Sequence, residues 1–200
     1  MTELKQALRE IYLSSDTGFN KLFPLHIQAL AKSHWTQLDV VKKAAEFLAA
    51  EDGVKVLDIG SGVGKFCLGA AFQTPHVHYF GVEQRRSLYE YSVTAQNALN
   101  ISNVSFIHGN FTQLDLKEFN HFYFYNSFYE NIMDTDKIDE SIECSVELFE
   151  YYHRYLYKQL EQMESGTRIC TLCSFENEIP KDYHEVGSDM NELLKFWIKI

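Results

Sequence analysis

One short stretch sets a carboxylate against a glycine turn: Asp58-Ile59-Gly60-Ser61-Gly62-Val63-Gly64-Lys65, directly after the apolar run "VKVL". Gly60 permits a tight exit from a strand, and Gly62 lets a ligand approach the backbone with no Cβ in the way. Gly64 stands where a helix would begin. A dinucleotide loop needs glycine or alanine at the sixth place of G-x-G-x-x-G, where this chain has Lys65. A phosphate-binding P-loop needs a hydroxyl residue after Gly-Lys, and here Phe66 follows. Asp58 argues further against phosphate, because a carboxylate beside the loop repels a pyrophosphate and attracts a ligand with a cationic end. Glu83 follows Gly64 by 19 residues, close to the ~20 expected of an acid that accepts hydrogen bonds from ribose hydroxyls.

The pattern D-x-G-x-G-x-G resembles the first motif of class I S-adenosylmethionine (SAM)-dependent methyltransferases. That resemblance implies SAM as cofactor, with S-adenosylhomocysteine as product, and an enzyme that transfers a methyl group. Asp58, Gly60, Ser61, Gly62 and Gly64 then cradle the methionine end, and Glu83 takes the ribose. In "IHGNF", Asn110 stands where the superfamily commonly has an acid on the adenine amino group, and Phe111 is placed to cover the adenine face. In "FYFYNSFYEN", Asn126 ends a strand beside the expected position of the reactive methyl, with Tyr129 in its aromatic wall. These two are the candidate acceptor-site residues, although the prolines of an Asn-Pro-Pro-Tyr motif are missing.

A narrower likeness runs over roughly 35–175. "WTQLDVV", "LDIGSGVGKF", "YFGVEQ", "GNF" and "LEQMESGTRICTLCSF" resemble the non-SET histone-lysine methyltransferases of the disruptor-of-telomeric-silencing type. It places Thr36 where that family has a cofactor-contacting threonine, and it implies an amine acceptor such as a protein lysine. The alternatives are a catalytically silent SAM- or S-adenosylhomocysteine-binding protein on the same fold, or a small-molecule methyltransferase.

The elements that must position these residues follow from periodicity. "VKVLDI", "VHYFGVE", "VSFIHG", "HFYFYN" and "RICTLCSF" read as strands, alternating with helices "GKFCLGAAFQ", "RSLYEYSVTAQNALN" and a long one over about 138–163. Such alternation predicts a Rossmann-like, doubly wound α/β sheet, mostly parallel, with the ligand beyond the carboxyl ends of its strands. "DYHEV" and "LLKFWIKI" flank a turn at "GSDMNE" too short for a helical crossover, so this C-terminal hairpin is expected to be antiparallel. Ahead of the sheet, "TELKQALREIYL", "KLFPLHIQALAKS" and "TQLDVVKKAAEFLAA" read as helices, with Thr36 as N-cap of the third. A single domain over 1–200 is expected, with a helical cap over 1–50 and a SAM-binding α/β core over 54–200.

Composition excludes several classes. Net charge is −10, from 18 Lys and Arg against 28 Asp and Glu, so an extended nucleic acid partner held by counterion release is disfavoured. A protein or a small molecule is the expected methyl acceptor. No apolar run approaches the ~18 residues of a membrane span, and the opening "MTELKQALREIY" lacks a secretory core, so a cytoplasmic location with reduced thiols is expected. Cys170 and Cys173 form a CxxC inside a strand-like run, where positions three apart face opposite ways. They read as core cysteines, and no metal site is expected.

Overall fold

A computed structural model of the protein describes residues 2–132, 137–174 and 178–200. Seven strands form one sheet: β1 (Lys55–Ile59), β2 (His78–Glu83), β3 (Val104–His108), β4 (His121–Tyr125), β5 (Arg168–Leu172), β6 (Tyr183–Asp189) and β7 (Leu194–Lys199). Their order is β3-β2-β1-β4-β5-β7-β6. β1 to β5 run parallel, and β7 is antiparallel to both of its neighbours. The chain reverses its direction across the sheet between β1 and β4, the place where a doubly wound sheet opens its ligand crevice. This is the Rossmann-like architecture expected, including the antiparallel C-terminal pair.

Strand burial explains why the parallel strands carry apolar runs. Leu57, Ile59, Phe122 and Phe124 are buried on one face, while Val56, Tyr79, Tyr123 and Cys170 are buried on the other. The first face packs on α8 (Val146–Leu160), through Tyr152, Leu156 and Leu160. The second packs on α5 (Leu38–Leu48), α6 (Lys65–Gln73) and α7 (Arg86–Leu99). Each large side chain so covered stabilises the fold by roughly 1.5–3 kcal/mol relative to exposure.

The helices depart from expectation at their ends, most for a local reason. α8 is shorter than the anticipated 138–163. Ser145 starts it by accepting a hydrogen bond from Leu148 N at 3.2 Å, while Asp139 holds residues before it in a turn with Ser141. "KLFPLHIQALAKS" is not one helix but two single turns, α3 (Leu25–Gln28) and α4 (Ala31–His34), because Pro24 lies extended and cannot continue a helix from before it. A further turn, α2 (Asp16–Asn20), follows α1 (Thr2–Leu13) and is capped by Ser15. The N-cap of α5 is Gln37, not Thr36. The helix's first free N–H, on Leu38, is taken instead by Asp16 Oδ1 at 3.1 Å, a partner 22 residues away that no local pattern announces. Thr36 is thereby left to bond the Tyr123 hydroxyl at 2.8 Å. β5 ends at Leu172, short of the "RICTLCSF" run, and Phe175 lies outside the described residues. Cys170 is buried and Cys173 half-buried, and both are free thiols.

Candidate active site

β1 delivers Asp58 and Ile59 to the crevice, and the glycine loop then folds back over β2. Gly60 N and Ser61 N both donate to Val82 O at 3.0 Å. Gly60, Gly62 and Gly64 have φ of 78°, 55° and 79°, the left-handed region that glycine enters without strain. A Cβ on Gly64 would lie 2.3 Å from Phe106 Cζ, whereas one on Gly62 would meet nothing within 4 Å. Gly64 is thus needed for helix–sheet packing, and Gly62 faces open space.

Glu83, the last residue of β2, grips the loop from the other side. Its carboxylate accepts from Gly62 N at 2.9 Å and from Arg85 N at 2.7 Å. Burial pushes its pKa up, opposed by those two backbone donors and by Arg85. Arg85 is itself only 4% exposed. Its guanidinium forms a two-pronged pair with Glu130 and a further bond from Nε to Asp139 at 3.0 Å.

Two adjoining cavities lie against this frame. The larger, about 190 Å³, is lined by Gly60, Gly62, Glu83, Phe111, Asn126 and Tyr129 among others. The smaller, about 30 Å³, is lined by Thr36, Asp58, Gly60, Ser61 and Lys65 among others. His34, Trp35, Gly60 and Tyr125 border both. Eight of the eleven expected site residues therefore line one cavity only, and Gly60 lines both.

Gly64 and Asn110 line neither. Asn110 Nδ2 donates to Gln84 Oε1 at 3.0 Å and to the Tyr152 hydroxyl at 2.8 Å. Its Oδ1 accepts from Thr112 N and Thr112 Oγ1. Every hydrogen-bonding valence of that amide is engaged. Phe111 is buried beside it, stacked on Phe128 with ring centres 5.2 Å apart and edged by Tyr152.

Asp58 is 4% exposed. Burial, with the nearby Glu83 charge adding to it, pushes its pKa to about 8, while the Cys67 thiol, 3.6 Å away, works in the opposite sense. Without a cation nearby, Asp58 therefore holds a proton at neutral pH. Asn126 follows β4 in a left-handed conformation, φ 48°, and its Oδ1 is buried with no hydrogen-bond partner. Ser61 Oγ is likewise buried and unpartnered. Burial raises the pKa of Tyr129, whose ring meets Phe149 edge-on.

Arg85, Lys65 and Tyr152 are parts of the site that spacing did not point to. The sequence signal for Arg85 was its place two residues after a strand-end acid. Lys65 was visible only as a break in the phosphate motifs.

Residues 52–127 match the model of a family described as a putative methyltransferase. No curated protein matches the chain in sequence. Among solved structures, an RNA methyltransferase from Salinibacter ruber in complex with S-adenosyl-L-homocysteine superposes with a TM-score of 0.55 at 18% identity. It covers 82% of this chain and 93% of its own. A SAM-dependent methyltransferase from Aquifex aeolicus gives 0.57 at 11% identity, covering 87% and 98%. TrmN from Thermus thermophilus gives 0.60 at 14% identity, covering 87% of this chain, which spans about half of it (52%). At these identities the shared property is the fold.

The family match covers less than half of the chain; that match and the neighbours' shared fold agree with the resemblance to SAM-dependent methyltransferases. They do not support the narrower resemblance to the non-SET histone-lysine methyltransferases. The expectation against nucleic acid, drawn from charge, gains nothing from a neighbour named an RNA methyltransferase. Among the described residues, no helix is long and apolar enough to cross a membrane.

Proposed function

We propose that this protein transfers a methyl group to an amine nitrogen, with SAM as donor. The residues suit that cofactor. Gly62 faces space that a Cβ would enter freely, and two buried polar atoms beside the loop, Ser61 Oγ and Asn126 Oδ1, lack partners. When bound, SAM supplies an electrophilic methyl group on a positively charged sulfur. Asp58 would take the methionine ammonium, Glu83 the ribose hydroxyls, and Phe111 one face of the adenine. Asn110, fully engaged, acts by bracing that wall.

The amine reading rests on Asn126. A buried carbonyl oxygen with no hydrogen bond costs about 1–3 kcal/mol, and the left-handed backbone of a non-glycine residue adds to that. An acceptor N–H that bonds Oδ1 removes the first cost and aims the nitrogen lone pair into the cavity. Tyr129 and Phe128 exclude water from the same side. The acceptor must arrive as the neutral amine or lose a proton to solvent. The chain's own contribution is positioning.

The test incubates the protein with methyl-labelled SAM and separated protein, small-molecule and nucleic acid fractions, then locates the label by mass spectrometry. Label on nitrogen, with kcat reduced roughly 100-fold in Asn126→Ala while S-adenosylhomocysteine binding is retained, supports the reading. Label on oxygen or carbon, or none in any fraction, would sink it.

A further inference from the structure

The segment after β4 carries a second unmatched amide. Asn131 ends a single tight turn, Tyr129–Asn131, and lines the larger cavity together with Asn126. Backbone bonds close the turn, from Tyr129 N to Asn126 O at 3.2 Å and from Asn131 N to Phe128 O at 3.1 Å. Asn131 Nδ2 donates to the same Phe128 oxygen at 2.8 Å, which sets the amide's nitrogen against the backbone. Its Oδ1 is buried with no hydrogen-bond partner, as is Asn126 Oδ1. Each such oxygen is costly to bury unmatched, and here two fall within one short segment.

An amide oxygen only accepts, so the pair is matched by a group with two N–H bonds. An ammonium offers them but has no lone pair with which to attack a methyl group. A neutral secondary amine has the lone pair but a single N–H. A neutral primary amine has both.

We propose that Asn131, with Asn126, seats a primary amine and limits this protein to one methyl group per nitrogen. The proposal rests on the amine reading above and adds a product specificity, with Asn131 as the determining residue. With one N–H on each amide oxygen, the nitrogen lone pair is left as the reactive direction. As the nitrogen–carbon bond forms, the electron pair of the breaking carbon–sulfur bond stays with sulfur, and the positive charge passes to nitrogen. Both N–H bonds to the amides are then charge-assisted. One proton leaves to solvent, and the product amine keeps a single N–H. Seated again, that product leaves one amide oxygen unmatched and sets its new methyl group against it.

Two measurements test this. The first runs the protein to completion with excess trideuteromethyl SAM and heat-treated cell extract, and counts by mass spectrometry the labelled methyl groups on each nitrogen. One is expected from the unaltered protein, and two from Asn131→Ala. Two from the unaltered protein overturn the proposal and leave the amine reading standing, whereas no label on nitrogen overturns both.

The second reads binding alone, by calorimetry with S-adenosylhomocysteine present. Aniline, N-methylaniline and N,N-dimethylaniline are all uncharged at neutral pH and offer two, one and no N–H. A merely apolar pocket binds them more tightly with each added methyl group. The amide pair reverses that order, and the unaltered protein should bind aniline about fivefold more tightly than N-methylaniline. Asn131→Ala should lose the preference, and Asn131→Asp, which keeps an acceptor oxygen, should retain it. If Asn131→Ala fails to fold, the unaltered chain and Asn131→Asp still decide. Affinity that rises with methylation in the unaltered protein, or no binding of any of the three at millimolar concentration, overturns the seat. A preference unchanged in a folded Asn131→Ala overturns the assignment to Asn131.

Discussion

Arg85 and Glu130 meet through two parallel hydrogen bonds, 2.8 and 3.1 Å long, and so join the exit of β2 to the segment after β4. Both walls of the larger cavity are tied by this pair, with Arg85 N also feeding the Glu83 carboxylate. Removing one member of such a pair leaves the other's charge uncompensated, at a cost of about 3–5 kcal/mol.

Arg85→Met should therefore lower Tm by roughly 10 °C at this chain length and weaken S-adenosylhomocysteine binding. Arg85→Lys should fall between, since an ammonium cannot reproduce the fork. Thermal melts with and without ligand check this. A Lys variant as stable as the unaltered protein would argue that the fork geometry is irrelevant.

Asp58 predicts an unusual pH slope. Its pKa is about 8 in the fold and near 3.9 when unfolded, so the folded state carries a proton that the unfolded state has lost throughout that window. Its contribution to stability then falls as pH rises from about 4 to about 8. A bound ammonium favours the ionised carboxylate, so ligand affinity should rise with pH over the upper part of the range. Melts and calorimetry from pH 5 to 9 measure both, and Asp58→Asn should flatten each slope.

His121 acts in the opposite sense. Burial first, with the Arg168 charge adding to it, brings its pKa down to about 4, and its Nδ1 accepts from Arg168 N at 3.1 Å. Its contribution is present above the unfolded value near 6.5 and is lost as pH falls from there through about 4. Following the imidazole by NMR during acid titration should show it neutral at pH 5. An imidazolium at that pH contradicts the assignment.

The two glycines of open and crowded space should separate by mutation. Gly64→Ala carries a left-handed backbone cost of about 1–2 kcal/mol and, from the clash with Phe106, a further ~1–3 kcal/mol. Gly62→Ala carries only the first, yet its methyl group enters the ligand's space. Urea unfolding should rank Gly64→Ala as the less stable, while calorimetry ranks Gly62→Ala as the weaker binder relative to its stability.

The sheet, its parallel run and the glycine loop were readable because each depends on a local period or on residues a few positions apart. Asp58, Gly60, Gly62 and Glu83 fall into that class. Arg85–Glu130 and Lys65–Asp16 do not, being separated by 45 and 49 residues, and nothing in a one-dimensional pattern couples such distant charges. The start of α5 escapes a local pattern for the same reason, since Asp16 caps it from outside. Asn110 stands where the resemblance implies an acid, yet its amide makes bonds to Gln84 and Tyr152 that a carboxylate could not donate.

Asp16 gives the amino-terminal turns a further meaning. They are the counter-ion reservoir of the ligand loop: a chain trimmed past Asp16 would strand a buried ammonium at the first turn of α6 and unseat the start of α5 in the same cut. Truncated chains meant to isolate the sheet should therefore lose their shape at the glycine loop first, well before the far strands feel the deletion.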